Sequence, residues 1–374
     1  MPKTLNIALL GAGFMGKAHS NAYRQVSHFF DIGIEPVMKV VCARTLGSAR
    51  EAAERYGWLE HDTDWERVVQ REDIDLVDIS TPGNLHHPMA LAAAKARKHV
   101  WCEKPLGNSL PEAEEMLAAV RAAGVMHAVF HNYRFCPAVR LAKRLIEEGE
   151  LGDVRHIRAV YLQDWIAEPD FPLVWRLRKQ ITGSGALGDI GSHIIDLARY
   201  LIGEIAQVVA DTRTFINERP LPDDADRSAE VDVDDAAIFL ARFEGGAMGT
   251  FEATRFAWGR KNYNSFEING SLGSVIFNLE RMNELEYFDA RTPSHLQGFR
   301  TIQVTESSHE FAAEWWPPGH IIGYEHTFTN LVADGFRRMA KGELPSPNFE
   351  DGVANQRVLD AVERSIATGT WATI

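Results

Sequence analysis

Gly11-Ala12-Gly13-Phe14-Met15-Gly16 follows the apolar run 5–10 directly and opens a stretch of helical period. Between a strand and a helix, each glycine of a GxGxxG pattern has a task. The first permits a tight turn, the second lets the backbone approach a pyrophosphate, and the third allows the helix to pack closely. The N–H groups at the start of the helix then face the phosphates. The hexapeptide predicts a dinucleotide site that includes Gly11, Gly13, Phe14, Met15 and Gly16.

Short apolar runs and helical stretches alternate over the first 130 residues. The runs recur at 37–42, 76–80, 100–102 and 126–130, and the helical patterns at 48–56, 88–96 and 111–123. Gly57 and Gly124 are expected to end two of these helices, and Ser109 to cap the start of the last. This rhythm is typical of βαβ units and of a parallel sheet. We therefore predict an α/β fold with an N-terminal Rossmann dinucleotide-binding domain over residues 1–130.

The pattern changes after residue 130. A helical stretch at 137–148 precedes alternating, strand-like stretches at 156–162, 236–243, 247–253 and 264–268. Strands of this kind, joined by glycine-containing turns, pair in antiparallel or mixed sheets. We expect a second, α+β domain over residues 131–374 with a large open mixed or antiparallel sheet. The acidic stretch 223–235 is expected to be a solvated loop.

Composition excludes several classes of protein. The 374 residues include 39 Lys or Arg and 52 Asp or Glu, and the formal charge of −13 argues against nucleic-acid and anionic-membrane partners. Cys42, Cys102 and Cys136 lack CxxC spacing, which predicts neither disulfides nor a zinc site and favours the cytoplasm. No targeting signal is recognisable, no stretch approaches the ~18 apolar residues of a membrane span, and no metal is expected.

The expected second strand ends without an acidic residue. A ribose-binding acid would stand roughly 20 residues beyond the glycines, but Ala43 and Arg44 occupy its place. A cation there can accept the 2′-phosphate of NADP. Arg44 can equally stack on adenine and leave NAD as the cofactor, so the residues leave both cofactors open.

Two further stretches lie where predicted strands end, at the edge where an open α/β sheet binds its ligand. In the first, the residues expected to face the cofactor are Thr81, Pro82, Asn84 and His86. The second contains Glu103 and Lys104, both expected beside the cofactor. The Lys104 ammonium can bond a substrate hydroxyl and stabilise negative charge on its oxygen. A surface ion pair between Glu103 and Lys104 is the alternative.

A glycine-rich loop that begins at Gly183 leads into a helical stretch that continues to Tyr200. Asp189 and His193 are four residues apart, so they share one face of such a helix. A histidine base oriented by a carboxylate suits proton transfer. A hydrogen-bonded histidine of the core is the alternative, and a metal site with Asp196 on the same face lacks a third type of ligand.

The motifs GAGFMG, TPGNLHHP, CEKP and GDIGSHIIDLARYL, in this order, resemble the Gfo/Idh/MocA family, named after glucose-fructose oxidoreductase and inositol dehydrogenase, over nearly the whole chain. Within that family, YLQDW and EATRFAWGRKNY are most similar to dehydrogenases of anhydrosugars, L-glucose and scyllo-inositol. The resemblance implies that Lys104, Asp189 and His193 are catalytic. It also implies a sugar pocket. Asp189 and His193 would line this pocket together with Tyr133, Gln163, Trp165 and Arg176.

The resemblance implies hydride transfer between NAD and a carbinol carbon of a cyclic sugar or polyol, with NADP not excluded. The second domain would then bind the substrate and form a homotetramer. Other functions stay open: an NAD-dependent glycosidase that works by transient oxidation, a non-catalytic nucleotide-binding sensor, and a sugar-nucleotide reductase, for which no basic diphosphate site is visible.

The segment 291–326 is long, irregular and rich in aromatic residues, notably in Trp315-Trp316-Pro317-Pro318-Gly319-His320. Two exposed tryptophans would form an apolar patch that a soluble monomer seldom displays. We therefore expect an interface between copies of the chain, where His320 binds sugar in a neighbour's pocket. The alternative is a loop packed on its own domain, with His320 in solvent.

Overall fold

The computed structural model describes residues 3–374, which form two compact units. The first comprises the described residues up to Phe135 together with Gly323–Gln356. The second comprises Cys136–Ile322 and Arg357–Ile374. None of the described helices is both long enough and apolar enough to cross a membrane.

Strands and helices alternate along the first unit, as the apolar rhythm predicts. The strands are β1 (Lys3–Leu10), β2 (Ile34–Cys42), β3 (Glu60–Asp62), β4 (Leu76–Ile79), β5 (His99–Cys102) and β6 (His127–Val129). The helices are α1 (Phe14–Phe29), α2 (Leu46–Tyr56), α3 (Trp65–Val69), α4 (His86–Lys95) and α5 (Leu110–Ala123).

All strands of this first sheet are parallel, in the order β3-β2-β1-β4-β5-β6. The order reverses between β1 and β4, and ligands bind at such a switch point beyond the carboxyl ends of the strands. The GxGxxG loop follows β1 at this position. The predicted Rossmann domain is therefore confirmed as a fold.

The second unit contains most of the remaining elements. Its helices are α6 (Pro137–Glu147), α7 (Lys179–Thr182) and α8 (Ser192–Ile202), and its strands are β7 (Val154–Leu162), β8 (Ile205–Arg213), β9 (Glu218–Leu221), β10 (Asp224–Glu230), β11 (Ala236–Phe243), β12 (Met248–Thr254), β13 (Tyr263–Gly270), β14 (Gly273–Asn278), β15 (Glu284–Asp289), β16 (Arg300–Gln303) and β17 (Ala372–Thr373). The two remaining helices are α9 (Tyr324–Ala340) and α10 (Phe349–Thr368), which precede β17 in the chain.

The main sheet of this unit has nine strands in the order β16-β15-β14-β13-β7-β12-β11-β8-β17. Only β7 and β12 pair in parallel among these described strands; the other neighbours are antiparallel, so the expected mixed sheet is confirmed. Helices α6 and α8 pack on each other and on the sheet. Along β11, Phe239 and Ala241 are buried while Ile238 and Leu240 point outward, the alternation of a sheet covered on one face.

The acidic stretch 223–235 is not a solvated loop throughout, which corrects the expectation. Strands β9 and β10 form a hairpin across its start. At its end Asp235 is fully buried, and its carboxylate accepts the N–H of Phe215 at 2.7 Å. Burial raises the pKa of Asp235. Charge density in the sequence does not reveal such pairing with backbone amides.

Residues 323–356 lie in the first unit, although the sequence boundary at residue 130 put them in the second domain. Helix α9 packs on α1. Its Thr327 hydroxyl accepts a hydrogen bond from the Asn132 amide at 2.8 Å, and its Phe336 ring stacks on Trp101 at 4.9 Å. The apolar face of a helix does not reveal in the sequence which sheet it covers.

Candidate active site

The glycine-rich loop of the first unit fits a dinucleotide pyrophosphate. Gly11 has φ +115°, and a Cβ there would lie 2.7 Å from the Ser80 carbonyl oxygen. A Cβ at Gly16 would lie 2.1 Å from the carbonyl oxygen of Gly11, whereas one at Gly13 would meet no atom within 4 Å. Gly13 therefore opens onto the space where the phosphates are expected.

Helix α1 begins at Phe14, and no side chain caps it at Gly13. The N–H groups of its first turn, including that of Met15, therefore face outward for an anion. The Phe14 ring is 63% exposed and lies 6.2 Å from the Tyr324 ring. Its exposure suits contact with a bound nucleotide.

The end of β2 lies at the carboxyl edge of the first sheet. Ala43 follows this strand and donates its N–H to the Asp62 carbonyl oxygen at 3.1 Å. Arg44 is exposed beside it. The structure places the Arg44 cation at the end of β2, where a ribose-binding acid was expected.

The loops after β4 and β5 are joined by His86, which is 2% exposed. Its ring nitrogens lie 2.9 Å from the Thr81 carbonyl oxygen and 3.0 Å from that of Pro105. Burial lowers the pKa of His86, and a neutral imidazole donates to only one of the two carbonyls. Pro82 and Asn84 lie on the same loop, where Asn84 is exposed. Contact of these residues with the cofactor stays a prediction.

Lys104 is half-buried at the same edge. The preceding Glu103 is only 4% exposed, which argues against a surface ion pair. Its Oε2 accepts the backbone N–H of Lys104 at 3.0 Å, and its Oε1 lies 3.0 Å from Nε2 of His19. No pattern in the sequence marks His19, since nothing in a helical stretch shows which carboxylate a histidine meets.

In the second unit, the glycine-rich loop is held by Asp234. Its two carboxylate oxygens accept the N–H groups of Gly185 at 2.7 Å and Leu187 at 2.8 Å. A Cβ at Gly185 would lie 1.8 Å from the Asp234 carbonyl oxygen, so the close approach requires glycine. These bonds fix the start of the segment that carries Asp189.

Residues 187–191 form a π-helical turn before α8, rather than the regular α-helix expected. Asp189 lies in that turn, and its Oδ2 is 3.6 Å from Nη1 of Arg255. His193 lies in the first turn of α8, is 7% exposed, and has the Tyr161 ring 5.8 Å away. Such π-turns occur frequently at functional sites.

Arg255 is a further site residue, which no motif in the sequence predicted. Its side chain is fully buried. One nitrogen faces Asp189, and Nη2 donates to the Asp234 carbonyl oxygen at 3.2 Å. Its position in EATRFAWGRKNY was the only available signal, because the resemblance of that stretch extended to it.

Side chains predicted to bind sugar form a hydrogen-bonded chain in the second unit. The indole Nε1 of Trp165 donates to Gln163 at 3.0 Å, and the Gln163 amide donates to Oδ1 of Asn262 at 2.8 Å. The Tyr161 hydroxyl donates to that same oxygen at 2.7 Å. These hydrogen bonds connect Trp165 to Tyr161, whose ring lies beside that of His193.

Three other predicted sugar-binding residues lie outside this chain. Arg176 is half-buried, with its guanidinium carbon 4.2 Å from the Trp175 ring centre. Tyr133 belongs to the first unit, is buried, and has the Tyr324 ring 6.3 Å away. His320 is exposed, and its Nδ1 lies 2.8 Å from the Pro317 carbonyl oxygen.

The tryptophans of the irregular segment differ in exposure. Trp315 is 5% exposed and Trp316 is 45% exposed. The expected pair of exposed tryptophans is therefore wrong, because Trp315 packs inward. The apolar surface near His320 includes Trp316 and Ile321, which is 70% exposed.

Comparison with known proteins agrees with this architecture. Residues 5–131 match an oxidoreductase family with an NAD-binding Rossmann fold, and residues 139–276 match the GFO/IDH/MocA C-terminal domain. Levoglucosan dehydrogenase of Pseudarthrobacter phenanthrenivorans is 44% identical over 100% of this chain and 98% of its own length.

Two solved structures show the same fold. An oxidoreductase domain protein from Kribbella flavida is 50% identical, with a TM-score of 0.96 over 100% of both chains. A levoglucosan dehydrogenase in complex with NADH and levoglucosan is 44% identical, with a TM-score of 0.96 over 100% of this chain and 99% of that one. This chain belongs to the GFO/IDH/MocA family of oxidoreductases.

Proposed function

We propose that this protein is a dehydrogenase that oxidises a hydroxyl carbon of a cyclic anhydrosugar of the levoglucosan type. The observation that carries the proposal is the full-length similarity to levoglucosan dehydrogenase. The chain of Trp165, Gln163 and Asn262 adds support, since an aromatic face and fixed amides suit a polyol. Tyr133, Arg176 and His320 are the further candidates for contact with the sugar.

The chemistry is divided between the cofactor and three side chains. Bound NAD supplies the hydride acceptor at its nicotinamide. We assign to His193 the removal of the hydroxyl proton by an imidazole nitrogen, and to Asp189 the orientation and charge stabilisation of that ring. Lys104 donates a hydrogen bond from Nζ to the same hydroxyl oxygen, where it stabilises the negative charge that develops.

The dinucleotide is held by this chain's own backbone and loops. We assign the pyrophosphate to the N–H groups around Gly13 and the nicotinamide half to the loops that carry Thr81 and Lys104. For the adenosine half, Arg44 stacks on adenine. NAD is the proposed cofactor, in agreement with the NADH complex of the relative.

We also propose that the protein is a cytoplasmic homotetramer. Support for assembly comes from the outward face of β11 and β12, where Ile238, Leu240 and Met248 are 58%, 44% and 60% exposed. Burial between copies removes such surface from water. The buried thiols of Cys42, Cys102 and Cys136 suit a reducing compartment.

Hybrid oligomers test whether His320 acts in a neighbour's site. Mixed His320→Ala and Lys104→Ala subunits should regain activity, because some sites then combine an intact Lys104 with an intact neighbouring His320. Full activity of a sedimenting monomer would contradict both the tetramer and this role of His320.

The activity itself is tested by mixing the protein with NAD or NADP and levoglucosan, L-glucose or inositols. We expect NADH to accumulate with an anhydrosugar. An NAD-dependent glycosidase would instead regenerate its cofactor, so NADH would not accumulate although the sugar is cleaved. A nucleotide sensor would form no NADH and leave the sugar unchanged.

A further inference from the structure

A histidine in the first unit is enclosed by two carboxylates. His19 lies on α1 with no exposed surface, Asp78 lies on β4 with none, and Glu103 follows β5 with 4% exposed. Nδ1 of His19 lies 2.9 Å from Oδ2 of Asp78 and 3.1 Å from Oδ1, and Nε2 lies 3.0 Å from Oε1 of Glu103. Helix α1, strand β4 and the loop after β5 therefore meet at one ring.

This arrangement requires the protonated ring. A carboxylate only accepts hydrogen bonds, so both ring nitrogens of His19 must donate to satisfy both partners. Burial lowers the pKa of His19, but Asp78 and Glu103 outweigh it and raise the pKa to about 9. The Tyr23 hydroxyl donates to Asp78 at 2.7 Å and satisfies that carboxylate further.

The same contacts connect His19 to Lys104. While Oε1 of Glu103 accepts from His19, its Oε2 accepts the backbone N–H of Lys104 at 3.0 Å. Contact with His19 also lowers the pKa of Glu103 against the effect of burial. The carboxylate thus stays charged and fixes the main chain from which Lys104 extends.

Aromatic packing keeps the ring of His19 in place. The Phe130 ring stacks on it with centroids 3.9 Å apart, and the Phe328 ring lies 5.7 Å away. This packing shields His19 and its two carboxylates from water, so the hydrogen bonds between them are stronger than at a surface. The ring also lies one turn beyond Gly16 on the helix that begins at the dinucleotide loop.

We propose that His19 is a positioning residue for hydride transfer: through Glu103 it fixes the backbone of Lys104 relative to the helix that begins at the dinucleotide loop. The inference rests on the proposed function, because it assigns Lys104 a role in turnover. His19 itself touches neither substrate nor cofactor in this account.

A double-mutant cycle in the full-length enzyme tests the coupling. His19→Gln keeps one amide donor but no positive charge, and we expect it to reduce kcat by on the order of 10- to 100-fold through misplacement of Lys104. In a Lys104→Met background, the same substitution should change kcat by less than about twofold, because the group it positions is gone. NADH affinity, measured by fluorescence titration, should stay near that of the parent in both backgrounds.

Tyr23→Phe is the matched control, because it removes a hydrogen bond to Asp78 in the same cluster but leaves the link from His19 to Glu103. Its kcat should stay near wild type. A second readout is the primary deuterium isotope effect, which should rise in His19→Gln as hydride transfer becomes slower. If His19→Gln does not fold, Glu103→Gln carries the same cycle.

The outcomes separate the two claims. An equal loss of kcat in both backgrounds, or wild-type kcat in folded His19→Gln, would overturn the positioning role alone. Wild-type kcat in Lys104→Met would overturn the role assigned to Lys104 and this inference with it, but would leave the dehydrogenase activity standing. No turnover of any sugar by the parent enzyme would overturn the proposed function itself.

Discussion

Arg255 places its guanidinium beside the carboxylate of Asp189, with 3.6 Å between Nη1 and Oδ2. The arginine is fully buried and also donates to the Asp234 carbonyl oxygen, while Asp234 caps the loop that leads to Asp189. Arg255 therefore contacts Asp189 directly and contacts the start of the same segment through Asp234. The proposed partner of His193 is fixed by charge as well as by helix geometry.

The first prediction concerns Arg255. Arg255→Met should reduce kcat for sugar oxidation by on the order of 10- to 100-fold, because Asp189 loses the group that holds it. KM for NAD should stay unchanged, and Arg255→Lys should recover part of the activity. Arg260→Met is the control, since Arg260 is exposed and stacks on Tyr263 at 3.9 Å. Equal kinetics for Arg255→Met and Arg260→Met would contradict the role.

The second prediction concerns His193 as the base. Because the base must be deprotonated, kcat/KM for oxidation should rise with pH through one apparent ionisation. His193→Asn should lower kcat by roughly 100- to 10,000-fold and abolish that rise. Stopped-flow measurement of the first turnover over a range of pH checks the pH dependence and the loss of rate in the variant. A near wild-type rate in this variant would show that another group accepts the proton.

The third prediction concerns the pH dependence of stability at His19. Its pKa in the folded protein, about 9, exceeds the ordinary value of 6.5, so the folded state holds the proton more tightly. The stabilisation is complete below pH 6.5 and is lost as the pH rises through about 9. The gap in Tm between wild type and His19→Gln should therefore narrow over that range. A gap of constant size would show that His19 does not titrate in this way.

The fourth prediction concerns the choice of cofactor. We expect a higher kcat/KM with NAD than with NADP. Arg44→Ala should harm the residual NADP reaction more than the NAD reaction, because only NADP offers a 2′-phosphate to the cation. Ala43→Asp should suppress NADP further by repulsion. A higher kcat/KM with NADP in the wild type would reverse the assignment.

The sequence predicted those helix ends that depend only on residues next to them in the chain. Gly57 and Gly124 end their helices with φ of +84° and +66°, and the Ser109 hydroxyl caps α5 by accepting the N–H of Glu112. Strand β3 was missed because three residues carry no readable period. The π-turn at 187–191 was missed because an α-helical spacing and a π-bulge share one sequence pattern.

The candidate site was predictable only where a motif marks it. The glycine loop and the positions of Lys104 and His193 follow from motifs and resemblance. The partners of these residues do not, since His19 meets Glu103 across 84 positions and Arg255 meets Asp189 across 66. Such pairs arise from the sheet order, which is a property of the folded chain.

The most direct test of the account is the rate of NADH formation from levoglucosan and NAD, compared between the wild type and Lys104→Ala. We expect steady accumulation of NADH by the wild type. In the variant, kcat should be lower by on the order of 100-fold or more, with NADH binding retained. Absence of NADH formation in a wild-type protein that binds NADH, or an unchanged kcat in Lys104→Ala, would contradict it.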